Sequence, residues 1–148
     1  MRSRSPRVVE DLARDEIDEL LAGQPIGRIG CHADGVTYVV PVIHAYDGEF
    51  IYVASVEGRK VEMMRANPSV CFEVDEYEGA AAGWRSVIVQ GVFEELDDAG
   101  AERALALLAD RFGRGRDGRA RRRAAPEERA RVCFRIAIAK ATGRAVRR

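Results

Sequence analysis

Three residues with anion-binding chemistry, Gly58-Arg59-Lys60, follow directly after an apolar, β-branched run. A helix is predicted over residues 57–67, because the residue before Pro68 is pushed out of the helical region. The three residues therefore lie in its first turn, where free backbone N–H groups and the helix dipole favour an anion. An arginine fork, a lysine charge and a glycine that admits close approach suit a phosphate dianion. The alternative is a solvated charge pair on a surface helix.

Composition favours a specific role for Lys60. The chain has 22 arginines but only two lysines, and one of the two stands beside Arg59. Ser55 or Ser86 would add a hydroxyl group to the same anion.

The strand before this helix is expected to pair with the strand that precedes it. Asp47-Gly48 separates two apolar runs, residues 36–46 and 49–55, and this dipeptide favours a two-residue type I′ hairpin turn. The resulting register predicts three facing pairs: Val42 with Val53, Pro41 with Ala54, and Val40 with Ser55. The middle of the first strand would then adjoin the start of the helix.

Pro41 lies inside the first of these strands. Proline cannot donate to a strand ladder, so inside a strand it marks an edge, a bulge or the approach of something other than a strand. A planar ligand lying against residues 39–42 would place its phosphate on the helix start. The alternative is an ordinary edge-strand proline that discourages aggregation.

The rest of the chain predicts one small domain over residues 1–148, with flexible segments at 1–9 and 113–125. Ala33-Asp34-Gly35 indicates a second hairpin turn. The remaining predicted elements are helices over 10–21 and 97–112 and strands over 26–32, 70–77, 86–96 and about 132–138. About six mostly antiparallel strands with short helices predict a mainly β fold, a small closed or nearly closed β-barrel.

Several classes of site are not supported. The chain has no GxGxxG, GxSxG or Walker motif. Cys31, Cys71 and Cys133 are far apart and odd in number, and are interpreted as small buried hydrophobes rather than a disulfide framework. Cys31 and His32 would point to opposite faces of a strand, and His44 lies elsewhere, so no metal site is expected.

Charge is distributed unevenly along the chain, although the net charge is zero. Residues 1–110 carry a net charge of −11 and residues 111–148 one of +11. The arginine-rich segment 111–123 is interpreted as a solvated loop, the alternatives being a lid over an anionic ligand and a nucleic-acid contact. No apolar run approaches the roughly 18 residues of a membrane span, and the start of the chain has no signal-peptide core, so a cytoplasmic location is expected.

Four segments, taken in order, resemble the pyridoxamine 5′-phosphate oxidase-like flavoproteins, above all the short branch that includes nitroimidazole-resistance proteins. They are GRIG at 27–30, YVVPVIHAYDGEFIYV at 38–53, GRKVEMMRANPSVCFEV at 58–74 and WRSVIVQGVFEEL at 84–96. The resemblance implies an FMN-binding split β-barrel and a homodimer with two cofactors at the subunit interface. By position it implies cofactor contacts from Val39, Val40, Pro41 and Val42 to the isoalloxazine, Ala54 and Ser55 to the ribityl chain, Gly58, Arg59 and Lys60 to the phosphate, and Trp84, Arg85, Ser86 and Val87 from the next strand.

Three functions follow as hypotheses. The first is an FMN-dependent oxidoreductase acting between a small-molecule electron donor and a small acceptor, with no catalytic acid or base assigned, since His44 and Trp84 are interpreted as structural. The second is a deazaflavin-binding or flavin-storage protein without its own turnover. The third is nucleic-acid binding through residues 111–123. The chain end lacks the substrate-binding Arg and His of vitamin-B6 oxidases, and Ala54-Ser55 stand where nitroimidazole-resistance members often carry a histidine.

Overall fold

The computed structural model describes residues 8–79, 82–113 and 131–147. Most of the two segments predicted to be flexible lies outside these ranges. The described elements, in chain order, are β1 (Val9–Asp11), α1 (Arg14–Gly23), β2 (Ile26–Ala33), β3 (Val36–Ile43), β4 (Ala45–Tyr46), β5 (Phe50–Val56), α2 (Arg59–Ala66), β6 (Ser69–Tyr77), β7 (Gly83–Glu95), α3 (Asp98–Phe112) and β8 (Arg131–Arg147).

The strands form one antiparallel sheet in the order β3-β2-β6-β7-β8-β5-β4, and β1 pairs with β8. The two end strands, β3 and β4, are consecutive in the chain and only His44 separates them. The sheet therefore curls round so that its two end strands meet at His44. No ladder of hydrogen bonds between β3 and β5 closes the described barrel. This is a split barrel, as predicted. It has two more strands than expected, because the stretch from 36 to 46 breaks into two strands and β1 was not foreseen.

The hairpin at Asp47 differs from the predicted register. Ala45 lies opposite Tyr52 and Tyr46 opposite Ile51, so the centre of the turn is Gly48-Glu49 rather than Asp47-Gly48. The Asp47 carboxylate causes the shift, because its Oδ1 accepts hydrogen bonds from the backbone N–H groups of Glu49 (2.9 Å) and Phe50 (2.7 Å).

None of the three predicted pairs between β3 and β5 forms, so that prediction was wrong. β3 instead pairs with β2, which places Pro41 opposite Arg28. The end of β5 pairs with β8, which places Val53 opposite Phe134. The physical reason is burial: β8 offers β5 an alternating apolar partner that fills the barrel, whereas β3 turns away at the buried His44.

The helix predicted after β5 is confirmed. Gly58 is the N-cap of α2, Arg59 and Lys60 are its first residues, and Asn67 is its C-cap, with its N–H donating to the Met63 carbonyl. The turn at Asp34-Gly35 is also confirmed, with φ angles of 52° and 78°. Helix α1 begins later than predicted, because residues 9–11 pair with β8.

The core positions α2 firmly. Val61 and Met64 of α2 are fully buried in the same cluster as Phe72 and Phe134 of the sheet. Burying one such side chain is worth roughly 1.5–3 kcal/mol. A second cluster, around Tyr52, packs β5 and β8 against α3. In the described part of the chain, none of the helices has the length and apolar character needed to cross a membrane.

Candidate functional site

An opening separates β3 from the second half of β5. Beyond the two-residue pairing of β4 with β5, β3 follows β2 while β5 follows β8. Helix α2 begins at this opening, since it follows β5 closely and the Arg59 guanidinium carbon lies 5.4 Å from the centre of the Tyr38 ring on β3. We call the opening the mouth; it is bordered by residues 38–42, 53–56 and 58–60. The contact between Tyr38 and Arg59 brings β3 beside the start of α2, by a different route from the predicted hairpin register.

β3 is an edge strand in the described sheet, because it pairs with β2 alone. This explains Pro41, which donates no backbone hydrogen bond and is tolerated at a sheet edge. Side chains alternate along the strand: Val39 is 63% exposed and Pro41 is exposed, whereas Val40 and Val42 pack against the core. A planar ligand at β3 would therefore meet Val39, Pro41 and free backbone groups, with Val40 and Val42 supporting the strand from behind.

The start of α2 is open. Its N-cap residue, Gly58, has no side chain to cap the helix, and no other described side chain accepts a hydrogen bond from its first backbone N–H groups. These groups and the positive end of the dipole are therefore available to an anion. A Cβ atom added at Gly58 would meet only the Val56 carbonyl oxygen, 3.9 Å away. Ser55 is half-buried at the end of β5, and its hydroxyl donates to the Val56 carbonyl at 3.3 Å.

Arg59 and Lys60 form no ion pair with any carboxylate in the described ranges. Most other arginines in the described ranges are paired with carboxylates, and Arg65 on the same helix is an example. Its guanidinium donates to Glu57 at 2.6 Å and to Glu95 at 2.7 Å, and these hydrogen bonds, first that to Glu95, raise its pKa. Arg65 therefore ties α2 to β7, while Arg59 and Lys60 remain available for a ligand.

The predicted residues on β7 lie near the start of that strand, and β6 and β2 separate them from β3. The Phe93 N–H donates to the carbonyl of Pro68, just after α2, at 2.8 Å. Ser86 lies roughly 20 Å back along the strand, at about 3.3 Å per residue. Trp84 and Ser86 are half-buried, whereas Val87 is fully buried in the core. One chain does not bring these residues to the mouth.

Arg85 is held by carboxylates at this end of β7. Its Nη2 lies 2.9 Å from Glu76 and 3.8 Å from Glu19, and its Nη1 lies 3.7 Å from Glu16. These contacts tie β7 to α1. A depression of about 340 Å³ beside them is lined by Trp84 and by more carboxylates than arginines.

One surface of the sheet is unusually apolar. We call it the outer face, and its exposed members are Ile26, Val39, Ile43, Ile88 and Val92. At its centre the Arg28 guanidinium lies 3.3 Å from both Glu73 and Asp75. Burial, followed by the neighbouring Asp75 carboxylate, raises the pKa of Glu73 to about 7. Several exposed apolar side chains on one face of a sheet are typical of a protein interface or a ligand site.

His44 is structural, as predicted. It is fully buried, its Nε2–H donates to the Leu21 carbonyl at 2.8 Å, and its Nδ1 has no partner in the described chain. Burial lowers its pKa to about 4, so the ring is neutral. Arg111 donates to the His44 carbonyl at 2.6 Å and to the Gln24 carbonyl. We call His44 and the adjoining β4–β5 pairs the apex.

The cysteines differ from one another. Cys31 and Cys133 are buried, and burial raises the pKa of both thiols. Cys71 is only half-buried, because it lies on the outer face rather than in the core. In the described ranges no three side chains of His, Cys, Asp or Glu gather as a metal site would require.

Two contacting residues were missed by the sequence reasoning, Tyr38 and Arg111. The Tyr38–Arg59 contact depends on β3 leaving β5, which no local pattern indicates. Arg111 belongs to the arginine-rich segment, but it sits in the last turn of α3 and binds backbone carbonyls. The remainder of that segment, from residue 114, lies outside the described residues.

Fold and mouth together define a class: a small split-barrel protein with an open strand edge beside a basic helix start. The family model described as pyridoxamine 5′-phosphate oxidase matches residues 13–145. The chain therefore belongs to the pyridoxamine 5′-phosphate oxidase family.

Similar proteins agree with this assignment. An FAD-binding protein from Mesorhizobium loti is 35% identical, with a TM-score of 0.75 over 94% of this chain and 99% of that one. A candidate 5-nitroimidazole antibiotic resistance protein from Bacteroides thetaiotaomicron shares the fold, with 17% identity and a TM-score of 0.72 over 98% of this chain and 96% of that one. An uncharacterised protein of Rhizobium meliloti is 33% identical over 88 residues, which span 60% of this chain and 58% of that relative.

Proposed function

We propose that this protein binds a flavin nucleotide in the mouth and works as a flavin-dependent oxidoreductase. The observation that carries the proposal is the pair Arg59 and Lys60, which have no carboxylate partner in the described chain. They stand at a helix start without a side-chain cap, beside a free strand edge. Membership of the pyridoxamine 5′-phosphate oxidase family supports it, as does the similarity to the FAD-binding protein of M. loti. FMN is the cofactor expected from the sequence. FMN and FAD both contain the isoalloxazine, the ribityl chain and the phosphate that this site would hold.

Different residues at the mouth would contact different parts of the flavin. The Arg59 fork, the Lys60 charge and the free N–H groups of α2 hold the flavin phosphate. The isoalloxazine lies along β3, against Val39 and Pro41, where free backbone groups can pair with its polar edge. Ala54 and Ser55 border the path of the ribityl chain. The bound flavin supplies hydride and electron transfer between a small donor and a small acceptor, while the protein orients it and limits its exposure to water.

We also propose a homodimer formed through the outer face. That face exposes apolar side chains and carries both an arginine and carboxylates, so it can be complementary to itself. The separation of Ser86 from α2 within one chain supports the same arrangement, since a twofold dimer can bring that end of one chain to the mouth of its partner. Ile88→Lys should shift the protein to monomer in sedimentation velocity, and Ala106→Lys on α3 is the matched control. A wild-type monomer at micromolar concentration would contradict the dimer.

The test of flavin binding is the visible absorption spectrum of the protein purified without added cofactor, followed by chromatography of the chromophore released on denaturation. A flavin spectrum and released FMN or FAD are the expected results. A released deazaflavin would favour that cofactor instead. A colourless protein that takes up none of the three would contradict the proposal.

Turnover is tested separately from binding. The bound flavin is reduced chemically, and its reoxidation by quinones or nitroaromatic compounds is followed in a stopped-flow spectrometer. An oxidoreductase should reoxidise with an acceptor faster than free flavin does at the same concentration. Rates equal to those of free flavin for every acceptor would indicate flavin storage without turnover.

A further inference from the structure

A second depression adjoins Arg59. It has a volume of about 320 Å³ and lies between α2 and the tip of the β2–β3 hairpin. From Tyr38, the chain of β3 leads one way to Val39 and Pro41 at the mouth and the other way to Val36 at this depression. Arg59 therefore stands between the two places.

One face of α2 forms a wall of the depression. Arg59, Glu62, Met63 and Ala66 line it, and their spacing places them on the same side of a helix. The face runs for about 10 Å along the helix axis, at 1.5 Å per residue. The hairpin tip forms the opposite wall, where the positive φ angles of Asp34 and Gly35 turn the chain tightly.

We propose that this depression is an adenosine subsite and that the flavin bound here is FAD in preference to FMN. The inference rests on the proposed function, because it takes the flavin phosphate to lie at Arg59 and Lys60. FMN ends at that phosphate and would leave the depression empty. FAD continues from it through a second phosphate to an adenosine, and a pocket of roughly 300 Å³ or more is of small-molecule size.

The lining matches adenosine chemically. Val36 is 40% exposed and offers an apolar surface to a flat face of adenine, and the nearly buried Met63 contributes a small part of the lining. The Asp34 and Glu62 carboxylates form neither an ion pair nor a side-chain hydrogen bond within the described ranges. They can accept hydrogen bonds from the adenine amino group and the ribose hydroxyls. The same two carboxylates would repel a further phosphate, so the subsite suits an unphosphorylated ribose.

The experiment compares FAD with FMN on full-length protein stripped of bound flavin. Each flavin is titrated and followed by quenching of flavin fluorescence. FAD should bind at least about tenfold more tightly than FMN, which corresponds to 1.4 kcal/mol. Ala66→Phe fills the depression and should bring FAD down to the affinity of FMN. Unchanged FMN binding in that variant would show that the mouth is still folded.

Two further variants complete the test. Ala106→Phe, at an exposed position on α3, is the matched control and should change the affinity of neither flavin. Glu62→Gln keeps the shape of the side chain and should weaken FAD several-fold more than FMN. Equal affinities of the wild type for FAD and FMN would overturn the adenosine subsite and leave flavin binding intact. Binding of neither flavin would overturn the proposed function itself.

Discussion

The apex and the mouth are the two ends of one gap between β3 and β5, and they treat polar groups in opposite ways. At the apex, His44 is fully buried, its Nε2–H is bonded to Leu21, and Arg111 satisfies two backbone carbonyls. At the mouth, Arg59 and Lys60 have no carboxylate partner in the described chain, and the N-cap of the helix, Gly58, has no side chain to bond its N–H groups. The polar groups of the apex bond to one another and stabilise the fold, whereas those of the mouth are available to a ligand. Substitutions at the two ends should therefore affect different measurements.

The largest expected effect is on flavin affinity at the mouth. Arg59→Ala and Lys60→Ala should each cost about 1.5–3 kcal/mol of flavin binding, the range for hydrogen bonds to charged groups, and the double variant should cost more. The free energy of unfolding without flavin should fall only slightly, since neither side chain has an ion-pair partner in the described chain and Arg59 loses only its contact with the Tyr38 ring. Flavin titration and urea unfolding measure the two quantities, with the exposed Arg14→Ala as control. Unchanged flavin affinity in the double variant would contradict the proposal that Arg59 and Lys60 bind the flavin phosphate.

The next effect is a pH dependence of stability at the apex. Burial lowers the pKa of His44 to about 4, below the ordinary value of 6.5, so the folded state disfavours the protonated ring. The contribution to stability is complete above pH 6.5 and is lost as the pH falls from 6.5 to 4. The total is roughly 3 kcal/mol, at 1.36 kcal/mol per pKa unit.

Urea unfolding at several pH values measures this loss. His44→Gln should lower stability at pH 7 but flatten its fall between pH 6.5 and 4. His32→Gln removes the other histidine, on the exposed surface, and should keep the wild-type fall. An identical pH profile in His44→Gln and wild type would show that other groups cause the dependence.

A smaller loss is expected from Arg111→Ala. The variant leaves the carbonyls of His44 and Gln24 without their partner, at a cost of about 2 kcal/mol of stability. Arg111→Lys should recover only part of this, because a lysine lacks the fork that reaches both carbonyls. Flavin affinity should hardly change. If affinity fell as much as stability, the apex and the mouth would not be independent.

The smallest change is expected for Arg65, which lies on α2 but outside the mouth. Arg65→Ala removes the ion pairs to Glu57 and Glu95, which are partly exposed and screened by solvent, so stability should fall only slightly. Flavin affinity should fall only a few-fold, because α2 is still held by Val61 and Met64 in the core. Denaturant unfolding and flavin titration of the same preparation would measure both changes. A loss of binding as large as that of Arg59→Ala would show that Arg65 contacts the ligand.

Local chemistry explains what the sequence could predict. The Asn67-Pro68 stop and the basic first turn of α2 depend on neighbouring residues, and both were predicted correctly. The Asp34-Gly35 turn is of the same kind. The family resemblance added the split barrel, which the order of the elements alone left as a closed or nearly closed barrel.

Long-range partners explain what the sequence could not predict. The hydrogen bonds of the Asp47 side chain place the turn one residue later than predicted. Strand β5 pairs with β8, which lies about 80 residues further along the chain. The contact of Tyr38 with Arg59 and the distance from Ser86 to the mouth both follow from that pairing. No pattern within one segment encodes either of them.

Hydrogen–deuterium exchange of the full-length protein, with and without saturating FAD, tests flavin binding at the mouth directly. Exchange should become slower on FAD binding in residues 36–43 of β3 and in residues 55–62 around the start of α2. Little change is expected in the peptide containing Ala45 to Tyr52 at the apex. Saturation with FAD that leaves exchange at β3 and α2 unchanged would contradict the central claim that the mouth is the flavin site.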